Sequence, residues 1–158
     1  MEVAAGVAPW LKAIVVWGVF LWMAVNLLNH LQDVGGLRHG IAMFMRMESL
    51  DQPPPIPTPL KARRIDSAAA HTLVLIFIVV AQGLTALLFG LSALWFALGD
   101  AVAATRIGRY AFGTFTATWF VFLIGDAWFA AWLRLDALQR THLLLLLIGL
   151  AGLLLMAR

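Results

Sequence analysis

RIDSAAAHTLVLIFIVVAQGLTALLFGLSALWFAL, residues 64–98, decides the fold, because from Ser67 to Leu98 no Asp, Glu, Lys or Arg interrupts an apolar run. A membrane-spanning helix needs about 20 such residues. Asp66 and Ser67 are good capping residues immediately ahead of the run. At 1.5 Å per residue this helix outruns the hydrocarbon layer, so it tilts or projects beyond it.

Three further stretches fit a span: residues 9–29, opening on Pro9, residues 109–133, and the Leu-rich residues 141–157. The expected fold is therefore all-α, a polytopic bundle of four transmembrane helices in a single membrane domain, residues 1–158. Composition agrees. Of 158 residues, 63% are hydrophobic and 12% charged, at a mean hydropathy of +0.92, against about a quarter charged in soluble domains. The net charge of +3 is spread over loops rather than massed on one face, which argues against nucleic acid and for topology signals and lipid headgroups. There is no cysteine, which removes thiol catalysis and disulfides. The apolar run after Lys12 is expected to be a retained span rather than a cleaved leader.

The long loop, residues 30–66, divides in two. Residues 37–50 place Arg38, Ala42, Arg46 and Ser49 along one stripe and apolar side chains elsewhere, the pattern of a short interfacial helix. Residues 52–60 are dense in proline and are expected to run extended as a strap, either clasping a neighbouring subunit or simply returning the chain to the bilayer.

Four antiparallel spans put His30, His39, His71 and His142 on the side of the membrane that carries this loop, with Asp126 about two turns from that end of its helix. A haem would want histidines facing one another within the bundle. Here each lies at a helix end or in the loop, so no cofactor and no metal is expected, and His71 and His142, with Arg38 and Arg46, are assigned to headgroup or partner contacts. Helix packing is assigned to the small-residue stripe Gln82, Ala86, Gly90, Ala93 and to Gly113 and Ala117, with Gly149 and Gly152 a weaker version. Asp126, Trp128 and Trp132 are read as interfacial anchors, the carboxylate lying beneath an aromatic belt and near water. No nucleotide loop, nucleophile elbow or paired-carboxylate motif occurs, so no catalytic residue and no soluble substrate is assigned.

Ile65, Ser67 and His71 at the opening of the second span, Gln82-Gly83-Leu84-Thr85-Ala86 within it, and Gly125-Asp126-Ala127-Trp128-Phe129-Ala130-Ala131-Trp132 late in the third resemble a four-span family. It is known as predicted small integral membrane proteins, domain of unknown function 2165, and the resemblance covers nearly the whole chain. The family pattern carries a mid-span glutamate where this chain has Gln82, and a glutamate where it has Ala127, with a carboxylate one residue earlier at Asp126. The resemblance implies a bacterial inner-membrane protein but no mechanism. The expected role is a non-catalytic accessory subunit packed against a larger membrane complex, with respiratory or photosynthetic electron transfer the best guess for its host. The alternatives are an oligomeric transporter or ion-conducting protein, and a haem- or quinone-binding subunit. Cytoplasmic termini are expected from Arg106 and Arg109, concentrated in a short loop.

Overall fold

The computed structural model describes residues 7–158. Its α-helices are α1 (Pro9–Gln32), α2 (Val34–Met45), α3 (Ala68–Ala97), α4 (Ala101–Trp128) and α5 (Asp136–Ala157). All but α2 are long and apolar enough to cross a membrane.

Local chemistry sets the ends. Pro9 starts α1, where its missing N–H costs nothing. The Asp33 carboxylate accepts from Gly36 N at 2.7 Å, which stops α1 and starts α2 within one residue. Ser67 caps α3 by accepting from Ala70 N. Gly99, at φ +86°, reverses the chain so that Asp100 can cap α4 by accepting from Ala103 N at 2.9 Å.

Several boundaries differ from those expected. Helix α4 begins well before residue 109, because Asp100 nucleates it and Arg106 and Arg109 ride on its first turns. It ends at Trp128, because Ala130 adopts a left-handed conformation at φ 53° and a 3₁₀ turn, Ala131–Leu133, follows. Helix α5 starts at Asp136 rather than 141, and Asp136 pairs with Arg140 one turn on at 2.8 Å. The interfacial helix stops at Met45; Met47, also left-handed, separates it from a 3₁₀ turn, Glu48–Leu50. The strap ends in a further 3₁₀ turn, Pro59–Arg63, capped by Thr58.

The spans form a row in the order α1, α3, α4, α5. Helix α3 packs against α1 on one flank and α4 on the other, α5 packs on α4, and α1 and α5 make no substantial contact. The core along the row is aromatic. Phe89 of α3 meets Phe112 of α4 edge to face at 4.8 Å, and Phe115 meets Trp119 at 5.7 Å. Close approach is set by small residues. A Cβ on Gly90 would lie 2.8 Å from Phe20 of α1, while Cβ atoms on Gly149 and Gly152 would run into Thr116 and the Phe112 ring of α4.

On the loop side α2 lies against α3. Roughly 20 Å of α3 precedes Gln82 at 1.5 Å per residue. Since Gln82 bonds His30 near the end of α1, that segment projects past α1 and receives α2. The strap folds onto its own chain: Arg134 donates to the Gln52 and Pro54 carbonyls, Lys61 bonds Asp51 at 2.6 Å, and Arg63 lies 5.5 Å from the Trp128 ring. The Lys61 hydrogen bond, with help from its charge and that of Arg64, holds the Asp51 carboxyl below its ordinary value of 3.8.

Candidate functional site: a cavity between the outer spans

Because the row does not close, α1 and α5 leave a gap, floored by α3 and α4 and overlain on the loop side by α2. It forms a half-enclosed cavity of about 600 Å³. Its wall is overwhelmingly apolar, with the rings of Trp22, Phe44, Phe77, Trp119, Phe122 and Phe129 contributed by different elements. Two polar pairs interrupt it.

The first pair is His30 of α1 and Gln82 of α3, 2.7 Å apart. The amide oxygen Oε1 can only accept, so His30 Nδ1 donates. A lone buried amide among apolar helices must find a partner. The second pair is His142 of α5 and Asp126 of α4, where Nδ1 donates to Oδ2 at 2.7 Å. The His142 ring also lies on Trp119 and Phe122, with centroids 5.3 and 5.2 Å away. Asp126 is 1% exposed, whereas the sequence reading set it close to water. The physical reason is helical register: Asp126 falls on the face of α4 that carries Phe112 and Trp119 at seven-residue spacing, and the early start of α5 brings His142 across from it. Ala127, one residue on, is exposed.

Two buried polar atoms in this wall have no hydrogen-bond partner among the described residues: the donor Trp119 Nε1 and the acceptor Asp126 Oδ1. Native interiors satisfy nearly all such groups, and those left over tend to mark functional sites. Neither His30 nor His142 has a protein partner at Nε2 among the described residues. In the neutral form, with the proton on Nδ1, each offers a bare acceptor nitrogen. His30 also borders a second groove, on the loop-side surface, with Asn29, Gln32 and Asp33.

The family model for predicted small integral membrane proteins (DUF2165) matches residues 9–158. The chain belongs to this family. No curated protein and no solved structure matches it.

The other expected site residues scatter. Ala86 and Ala93 are buried within the row and Gly90 is in contact with α1, so the α3 stripe is internal. Gly113 and Ala117 are not engaged: Gly113 has open space at its Cβ position and Ala117 is exposed. The closest glycine contacts belong to Gly149 and Gly152 on α5, which sequence reading ranked lower. Trp128 and Trp132 are about half exposed. His71 is buried, its Nε2 donating to the Ile65 carbonyl at 2.8 Å. Arg38 is exposed, and Arg46 lies 3.6 Å from Glu48. His30 and Trp119 are the cavity residues sequence reading did not assign; the signal available for His30 was the need of Gln82 for a partner.

Proposed function

We propose that this integral membrane protein is a binding protein that holds a lipid-soluble, uncharged small molecule in the gap between α1 and α5. The observation that carries this is a cavity whose wall is almost wholly apolar yet places two histidine-centred polar pairs toward one enclosed space. Sites of this kind, apolar with a few convergent polar groups, are the usual form of a small-molecule pocket. Among the described residues no Lys or Arg lines the cavity. An anionic headgroup would therefore lose its hydration without gaining a counter-charge. The role is binding, with no bond-making step assigned, and its setting is the bacterial inner membrane.

An accessory role beside a larger complex, the reading from sequence, finds no free surface in the α3 stripe, which is buried against its own neighbours. It would use one of the exposed apolar faces instead, such as that of α1 with Ile14, Leu21 and Val25 or that of α5 with Leu144, Leu147 and Leu154.

Gly125→Leu tests the proposal. Gly125 lines the cavity and its Cβ position meets nothing within 4 Å, so the leucine occupies the cavity without a backbone clash. Native mass spectrometry of protein released from its own membrane should show a bound small molecule on the wild type and its loss from Gly125→Leu at unchanged monodispersity. Identical spectra for the two would refute the proposal.

A further inference from the structure

Resting on the cavity reading, we propose that the ligand is a neutral aromatic ring bearing hydroxyl groups, the hydroquinone form of a membrane quinone, bound in preference to its oxidised form.

Hydrogen-bond bookkeeping separates the two redox forms. With Nδ1 of each histidine committed to donating, the neutral rings of His30 and His142 present acceptors at Nε2. Asp126 Oδ1 is a third acceptor without a partner, and Trp119 Nε1 is the one donor in the same position. A site with this surplus of acceptors asks for a ligand that donates. A quinone carbonyl accepts only, and could answer just Trp119 and the second N–H of the lining residue Asn26, whose first is bonded to the Trp22 carbonyl. A phenolic hydroxyl donates and accepts at once, so it satisfies an acceptor nitrogen or carboxylate oxygen and the indole N–H together. Trp119 Nε1 and Asp126 Oδ1 are closed to water in the structure. A hydroxyl in the cavity therefore meets His142 Nε2 first, and bonds the other two only where the wall side chains shift to admit it.

The remainder of the wall fits a flat ring. His142 lies tilted over Trp119 and Phe122, with interplanar angles of 35° and 36°, and Phe44 and Phe129 meet edge to face at 5.3 Å. The gap between α1 and α5 leaves room for an apolar tail to run on into lipid. A phospholipid or fatty acid lacks both the ring and a neutral head, and the wall supplies no cation for either. Electron transfer forms no part of this inference; it concerns which form is held.

The probes are decyl-substituted benzoquinone, its hydroquinone, and decyl alcohol, each titrated anaerobically into the full-length protein in detergent micelles with tryptophan fluorescence as the readout. Wild-type protein should bind the hydroquinone about tenfold or more tightly than the quinone, the equivalent of one or two well-made hydrogen bonds. His142→Phe combined with Asp126→Leu keeps the ring stack, removes the Nε2 acceptor together with the carboxylate that the single change would leave unpaired, and should bring that ratio to about one to three. Trp119→Phe keeps an aromatic ring but loses the N–H together with the five-membered ring that carries it, and should weaken both forms about fivefold. Because these are ratios and losses on folded protein, a purely structural role for His142 would not reproduce them. Equal wild-type affinity for hydroquinone and quinone, or decyl alcohol binding as well as either with Gly125→Leu blocking all three, overturns the head-group assignment and leaves the cavity reading standing. Binding of all three probes undiminished by Gly125→Leu overturns the cavity reading itself.

Discussion

Gly152→Ala adds one methyl group where α5 crosses α4, and the structure says what it meets. The new Cβ would fall on the Phe112 ring, with Cγ only 2.6 Å away and two further ring carbons closer still. Phe112 is fully buried and wedged against Phe89, so it has no free space into which to turn. Forcing an extra methyl group into packing of this density costs about 1–3 kcal/mol. Gly113→Ala is the matched control, also in a span but with nothing within 4 Å of the added carbon. It should be neutral or should stabilise by up to about 1 kcal/mol, from the better helix propensity of alanine. Equilibrium unfolding in mixed micelles, followed by circular dichroism, reads both variants against the wild type. Equal behaviour of the two variants, or a destabilising Gly113→Ala beside a silent Gly152→Ala, would refute the packing of α5 on α4 described here.

Ser92→Ala removes a buried hydroxyl that donates to the Ala104 carbonyl at 2.8 Å, and should cost about 1 kcal/mol in the same unfolding assay. Asp51 has a carboxyl held below its ordinary value of 3.8 by the Lys61 hydrogen bond, so its contribution is present above that value and is lost as pH falls through the depressed one. Proteolysis of the strap by an acid protease should therefore accelerate only toward the acid end of its range, and Lys61→Ala should make it fast throughout. Asp126→Ala strands the His142 Nδ1–H and should destabilise more than Trp132→Ala, whose ring is about half exposed.

The spans were legible because each is a long apolar run with a recognisable start, such as Pro9 or Ser67. Their ends were harder to read. The two left-handed residues that stop helices on the loop side, Met47 and Ala130, are neither glycine nor asparagine, so nothing in their identity announces the turn. The start of α4 was hidden by Arg106 and Arg109, which read as loop charges; Arg109 instead donates to the Met156 carbonyl at the end of α5 at 2.8 Å. Small residues showed where close contacts were possible, but not which face would be used. Gly113 and Gly152 look alike in sequence, yet only one has a ring against it. Asp126 could be noticed from its isolation in an apolar run. That it would be sealed rather than wet depended on register across two helices, and a shift of one residue, about 100° around a helix, separates a buried position 126 from an exposed 127. The cavity was not legible at all, because it arises from the failure of α1 and α5 to meet, a property of the row rather than of any one segment.

The most direct measurement of the central claim is the thermal midpoint of the full-length protein in micelles as decyl-substituted hydroquinone is added, taken for the wild type and Gly125→Leu side by side. A ligand that binds only the folded protein stabilises it by about 2.7 kcal/mol at a hundred times its dissociation constant. The wild-type midpoint should therefore climb with concentration while that of Gly125→Leu, whose added side chain takes up part of the cavity, climbs less. A rise of the same size in both proteins, or in neither, would contradict a binding site between α1 and α5.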